Sequence, residues 1–181
     1  MIPQQHAGRT VLAFFWADNS LNSNLRNNIR TMMQGLQAMK DSAALLVYWD
    51  GEASDISWPE PCIVEYVTNG QGRINSMSKE AVNAMIADQD MSVHDLISIG
   101  NIRKKYSPQT STEKTVMQTV IGDMMSVYPS ESYGIIFGSH GSGWLPTITG
   151  TRSIGQDGGR YSSDTALIPE LAEVLRTVNP Q

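Results

Sequence analysis

Residues 10–21 read TVLAFFWADNSL: an apolar run carries to Ala17 and stops at Asp18, Asn19 and Ser20. A strand covered by helices on both faces is written this way, as a continuous hydrophobic block without polar alternation, and the three polar residues after it suit a helix cap. Leu21, Leu25, Ile29, Met32, Met33, Leu36 and Met39 then recur at helical spacing, so a helix follows whose methionines act as core filler. A second apolar run, AALLVYWD from Ala43 to Asp50, ends in Asp-Gly, and a third, CIVEYV, closes at Thr68-Asn69-Gly70. Strand, helix, strand in that order predicts an α/β fold with an open, mainly parallel sheet and right-handed crossovers. The third run alternates more and follows Pro59 and Pro61, which places it toward a sheet edge.

Outward from these runs the pattern stays α/β. Ser78 to Tyr106 reads as helical, with stripes at Ala81, Val82, Met85 and Ile86 and later at Leu96, Ile97 and Ile102. Its basic run, Arg103-Lys104-Lys105, is expected at a solvated helix end. TSTEKTVMQTVIGDMMSVYP opens with a capping box, Thr110 with Glu113. It places Val116, Val120, Met124 and Val127 on one face until Pro129 stops it. A buried strand, YGIIFGSH, follows at once. After a loop from Gly141 to Asp164, a last helix starts with Pro169 at a tolerated first-turn position. No repeat or low-complexity tract divides the chain, so residues 1–181 read as a single domain.

Composition removes several function classes. The chain has 181 residues, enough for one α/β domain that buries roughly 70% of its unfolded surface. Eighteen acidic against 13 basic residues give a net charge of −5, which speaks against a nucleic-acid surface, since phosphate binding needs clustered Lys and Arg. No stretch approaches the roughly 18 consecutive apolar residues of a membrane span, and the first ten residues lack a signal-peptide core. Cys62 is the single cysteine; it excludes an intrachain disulfide and is expected as a small buried core residue. His94 has no metal set such as H-x-x-x-H around it and is expected at the surface or in packing. Asp50, Asp123, Asp157 and Asp164 share no metal-loop spacing, so capping and turn roles are expected for them. The residues call for no cofactor and leave calcium dependence open.

The chemistry of the chain concentrates in SYGIIFGSHGSGW, Ser132 to Trp144, which runs a strand into Ser139-His140-Gly141. Ligand sites in open α/β sheets form outside the carboxyl ends of strands, and His140 lies at such an end. An imidazole with an ordinary pKa near about 6.5 exchanges protons at neutral pH. A glycine next to it lets a substrate approach the backbone closely enough for an N–H to meet a developing oxyanion. The pair lacks a nucleophile, and on pattern alone His140 also fits a simple turn histidine. The glycines do not end in the Gly-Lys-Ser/Thr of a phosphate loop, and neither Ser139 nor Ser142 sits in a G-x-S-x-G elbow.

YGIIFGSHGSGWLP resembles the histidine motif of the clostripain-like cysteine peptidases, within the group of caspase-like folds that includes caspases, gingipains and legumain. TVLAFFWADNSL is similar to that family's first strand with its Ala-Asp-Asn turn, LLVYWDG to its second strand, and RSIGQD followed by IPELAEVL to the segment after the histidine. These four matches fall in the family's order from about Thr10 to Leu175. The resemblance implies a caspase-like three-layer α/β/α sandwich and a Cys-His dyad that hydrolyses peptide bonds, commonly after Arg or Lys. It implies that His140 is the catalytic histidine and that Gly141 lends its N–H to the oxyanion hole. Trp144 and the Asp18-Asn19 pair match family positions with loop-shaping and helix-capping roles. The substrate implied is a peptide or protein, and the location implied is secreted or cell-envelope.

One part of the family pattern is missing. The nucleophile there follows the next hydrophobic strand as an acidic residue, a small residue and Cys, and that strand would begin beyond Gln181. Cys62 is a poor substitute because it begins a strand well upstream. A cleaved precursor with a companion or downstream chain carrying the Cys, a partial chain, and a member that has lost catalysis all stay open. The expected function is a cysteine endopeptidase, with these 181 residues inactive alone; the alternative is a peptide- or protein-binding module on the same fold.

Overall fold

The computed structural model describes residues 7–51, 60–140, 153–156 and 165–178. The elements in chain order are β1 (Ala7–Ala17), α1 (Asn22–Ala38), β2 (Ala43–Gly51), β3 (Cys62–Thr68), α2 (Lys79–Ala87), α3 (Val93–Ile99), β4 (Asn101–Lys105), α4 (Lys114–Val127), β5 (Ser130–Gly138), β6 (Ser153–Gln156), β7 (Thr165–Leu167) and α5 (Ile168–Val178). Five strands form one sheet in the order β4-β3-β2-β1-β5, and β6 with β7 forms a separate two-stranded antiparallel piece.

The apolar runs become strands for the expected reason. β1 alternates Leu12, Phe14 and Trp16 with Ala13, Phe15 and Ala17, and both sets are buried, each in its own core cluster. The Ala13 set packs with Leu25, Ile29, Met33 and Leu36 of α1 and with residues of α2 and α3. The Leu12 set packs with Met117, Val120, Ile121 and Met124 of α4 and with Leu171 and Val174 of α5. Helices therefore cover both faces, and a strand between them has no side on which a polar residue is cheap.

The sheet is mixed, where the sequence predicts it to be mainly parallel. β1 pairs parallel with β2 and with β5, but β2–β3 and β3–β4 are antiparallel. Only ten residues separate Gly51 from Cys62, too few for the crossover of about a dozen or more that a parallel return requires. β3 lies toward a sheet edge, as expected, one strand in from it. Its outer side is covered by β4, which lies in the stretch whose pattern reads as helical. All five β4 residues are exposed, so no apolar periodicity marks them, and a short charged strand is a usual way to close a sheet edge. β4 has a polar reason to pair: Asn101 lies opposite the buried Glu65 and Arg103 approaches its carboxylate at 3.5 Å. Lys104 and Lys105 pair with Asp123 and Glu60, so the basic run is solvated but strand, not helix end.

Smaller corrections follow the same logic. β5, expected to be fully buried, is the other edge of this sheet among the described residues, and Ile136 is 42% exposed. α1 starts at Asn22 without a side-chain cap on its first turn; Asn19 instead accepts from the Leu21 N–H one step earlier. The Thr110–Glu113 capping box forms no side-chain bond to α4, and only the backbone turn Glu113 N–H to Thr110 carbonyl closes there. Gly141 to Asp164 is expected to be loop; β6 lies within that stretch and pairs with β7, which follows it directly. Gly155 of β6 lies so close to the Trp16 indole that a methyl group there would stand 3.0 Å from three ring carbons, which clamps this small sheet to the carboxyl end of β1.

Candidate active site

The site is built where β1 and β5 end side by side. Their parallel register sets Phe15 opposite Gly138, so the next residues of both strands, Asp18-Asn19-Ser20 and Ser139-His140, leave the sheet together. Gly138 makes this junction close: a Cβ there would lie 2.6 Å from Phe15 Cδ1 and 2.7 Å from Leu25 Cδ2. Only a residue without a side chain lets β5 finish against α1 in this way.

Asn19 joins the two strand ends. It is nearly buried, and its Nδ2 donates to the Trp16 carbonyl at 2.6 Å and to Ser139 Oγ at 3.2 Å. Its Oδ1 accepts from the Leu21 N–H at 2.9 Å, and its carbonyl accepts from the Asn22 N–H at 3.1 Å. One side chain thus shapes the turn into α1 and grips the residue before His140. Beside it, Ser20 Oγ lies 2.9 Å from His140 Nε2. His140 is half-buried, placed at a strand end with one ring nitrogen held by a hydroxyl.

Cys62 is fully buried, as expected. It sits in the same cross-strand row as Gly138, through Trp49 and Phe15. Three strand spacings of about 4.8 Å put it about 14 Å from the end of β5, so its thiol cannot serve His140. Gly141, Ser142 and Trp144, with Asp157 and Asp164, lie outside the described residues. His94 is exposed in α3, 4.0 Å from Asp95. Among the described residues no group of three His, Cys, Asp or Glu side chains is placed to hold a metal ion.

Two aspartates expected in turns do other work. Asp123 accepts from Lys104 and from Tyr106 Oη at 2.7 Å. Asp50, buried at the carboxyl end of β2 beside Trp16, accepts from Ser111 Oγ, which also meets Tyr48 Oη at 2.6 Å; Gln109 Nε2 donates to that phenol at 3.1 Å. This polar cluster ties the segment before α4 to the same end of the sheet. A cavity at the opposite end, lined by Ser42, Thr68, Arg73, Asn75 and Tyr128 among others, contains no pair of nucleophile and base. Asn75 holds the backbone together there, bonding the Val67 N–H and the Glu65 and Ile99 carbonyls.

Sequence reasoning finds His140 from strand-end position and motif. It passes over Ser20 and Ser139 as partners, because a contact across 120 residues becomes visible only once β5 is known to lie beside β1.

A family model described as the clostripain family matches residues 13–181. A solved cysteine protease of B. fragilis is similar at 26% identity and a TM-score of 0.54, over 78% of this chain and 95% of that one. A secreted C11 cysteine protease from Bacteroides thetaiotaomicron, solved with an irreversible peptide inhibitor, is similar at 26% identity and a TM-score of 0.60. That match takes in 97% of this chain and 40% of that one, so the present residues span less than half of that relative. A clostripain from B. thetaiotaomicron in complex with a peptide inhibitor shares the fold at 18% identity and a TM-score of 0.53, over 80% of this chain and 99% of that one. No curated protein matches the chain.

Proposed function

Because the chain belongs to the clostripain family of cysteine peptidases, we propose that it supplies the histidine half of a Cys-His centre that hydrolyses peptide bonds. The observation that carries this reading is the placement of His140 at the carboxyl end of β5, half-buried and beside the end of a parallel neighbour. In this proposal the nucleophilic thiol lies in polypeptide outside these 181 residues, on a companion or downstream chain, since Cys62 is buried and about three strands away.

The chemistry is acyl transfer. The His140 imidazole takes the thiol proton, the thiolate sulfur attacks the scissile carbonyl carbon, and the C–N bond breaks as the leaving amine takes that proton from the imidazolium. Water, giving a proton to the imidazole, then releases the acyl group as the acid, and the proton returns to the sulfur. The Gly141 N–H is assigned to the oxyanion that forms on the carbonyl oxygen. Residues 1–181 are read as one domain of a caspase-like three-layer α/β/α sandwich, exported to the cell exterior or envelope like the secreted relative. Preference for Arg or Lys before the cleaved bond rests on the family resemblance. No metal or other cofactor enters the proposed reaction.

The test uses the full-length protein, with any maturation cleavage it undergoes. Hydrolysis of fluorogenic peptides ending in Arg or Lys is measured before and after treatment with iodoacetamide, and in His140→Ala. Activity lost on alkylation and reduced about 10²–10⁴-fold in the variant is the expected result. Activity unchanged in His140→Ala overturns the assignment, and a full-length protein that binds peptides without cleaving them supports the binding module instead.

A further inference from the structure

Resting on that reading of His140, we propose that Ser20 is the positioning residue that selects the tautomer of the catalytic imidazole, holding Nε2–H so that Nδ1 faces the reaction. A neutral imidazole carries one donor and one acceptor nitrogen, and a hydroxyl beside it can accept from the first or donate to the second, so the direction of the bond at Ser20 and the tautomer go together. Ser20 Oγ lies 2.9 Å from Nε2. With Nε2 occupied from the β1 side, Nδ1 is the nitrogen left for a thiol or a leaving amine. Nδ1 can take a proton only if the ring's own proton sits on Nε2, and then the Ser20 hydroxyl oxygen accepts it.

The same bond suits both protonation states. When Nδ1 gains the thiol proton, the imidazolium still donates Nε2–H to Ser20, so no partner has to rearrange during the transfer. A ring held with a fixed heading through the reaction carries its orientation forward without cost at the moment of chemistry.

The placement of Ser20 is prepared on both sides of the contact. Asn19, immediately before it, is fixed by the Trp16 carbonyl and the Leu21 N–H, and it also bonds Ser139, immediately before His140. The two residues that meet are thus each preceded by one end of the same asparagine bridge. Ser20 itself is exposed, so its hydroxyl is not there to fill the core. An exposed hydrogen bond in competition with water adds little to stability; what it supplies here is direction.

The experiment reads the tautomer directly. The full-length protein, labelled with nitrogen-15 at histidine, is examined by long-range proton–nitrogen correlation at a pH where the ring is neutral, and the His140 signals are identified by their loss in His140→Gln. The wild type is expected to show a protonated Nε2 and an unprotonated Nδ1. Ser20→Ala is expected to show a mixture of the two tautomers, and Ser20→Thr, which keeps the hydroxyl, to restore the single form. In the peptidase assay, Ser20→Ala should lower kcat about 10-fold to 100-fold with KM little changed, again with recovery in Ser20→Thr, while the denaturation midpoint stays at the wild-type value. A wild-type ring protonated on Nδ1, or an identical tautomer population in wild type and Ser20→Ala, overturns the proposal. The spectroscopic result does not depend on cleavage: a tautomer shift in a protein whose activity ignores His140→Ala removes the peptidase reading and leaves the Ser20 contact standing.

Discussion

Asn19 uses both ends of its carboxamide within a few ångströms, donating to Trp16 and Ser139 and accepting from Leu21. Its removal in Asn19→Ala leaves the Trp16 carbonyl and the Leu21 N–H without this partner at a nearly buried position. A loss of about 2 kcal/mol in unfolding free energy is expected, on the scale of buried groups left unsatisfied. Urea denaturation followed by circular dichroism measures it, and a loss below about 0.5 kcal/mol would show that water replaces the amide. At this scale the sequence is legible where chemistry is written in residue type. A histidine after an apolar run, a cysteine at the head of one, and a polar triplet closing a strand all point to their places. Ser20, Ser111 and Glu65 are not legible, because a hydroxyl or a carboxylate shows its purpose only against a partner from a distant segment: His140, Asp50 and Arg103 in turn.

Elements are readable in proportion to how one-sided their environment is. β1, β2 and α1 are buried along whole runs or whole stripes. The boundaries of β2 and α1 and the carboxyl end of β1 match the hydrophobic pattern, while β1 starts three residues before its apolar run, at Ala7, with Gly8 and Arg9 exposed. β4 is exposed at every residue and exists because β3 offers it a ladder and a buried carboxylate, neither of which appears in Asn101–Lys105 itself. The direction of β3 is open to arithmetic, since ten residues cannot make a helical crossover. The same strand carries a measurable consequence of its burial. Burial pushes the Tyr66 phenol well above its ordinary value, with Cys62 adding to the shift. The unfolded chain releases that proton near pH ~10 while the folded chain retains it. Stability linked to this group is therefore complete below about pH 10 and declines as the pH rises beyond it. Denaturation midpoints at about pH 9 and about pH 11 should fall between the two values, and the fall should be smaller in Tyr66→Phe, which keeps the ring and loses the titrating oxygen. An equal fall in both proteins would assign the alkaline loss to other groups. Burial similarly raises Tyr106, aided by its bond to Asp123.

At the scale of the whole molecule, a mixed five-stranded sheet covered by helices on both faces brings one histidine to a strand end and keeps the one thiol inside. The 181-residue polypeptide on its own should therefore turn over no peptide substrate, and its Cys62 should react with iodoacetamide only after denaturation; hydrolysis by the pure chain, or rapid alkylation of its native form, would contradict this arrangement of strands. Family order across the motifs makes the α/β class readable from sequence, while the antiparallel half of the sheet depends on connection lengths and pairings that composition does not encode. The β1–β5 pairing has a further effect, on the birth of the protein. Parallel partners about 120 residues apart are slow to find one another. At about 5–20 residues per second the ribosome needs roughly 6 to 24 s to make the intervening chain. For that interval the first strand has its β2 side available for pairing and its β5 side open, an adhesive border on the nascent chain. Chaperones that hold early apolar strands should meet this protein chiefly between the emergence of Ala17 and that of Gly138, and slowing translation across that window should raise its tendency to aggregate.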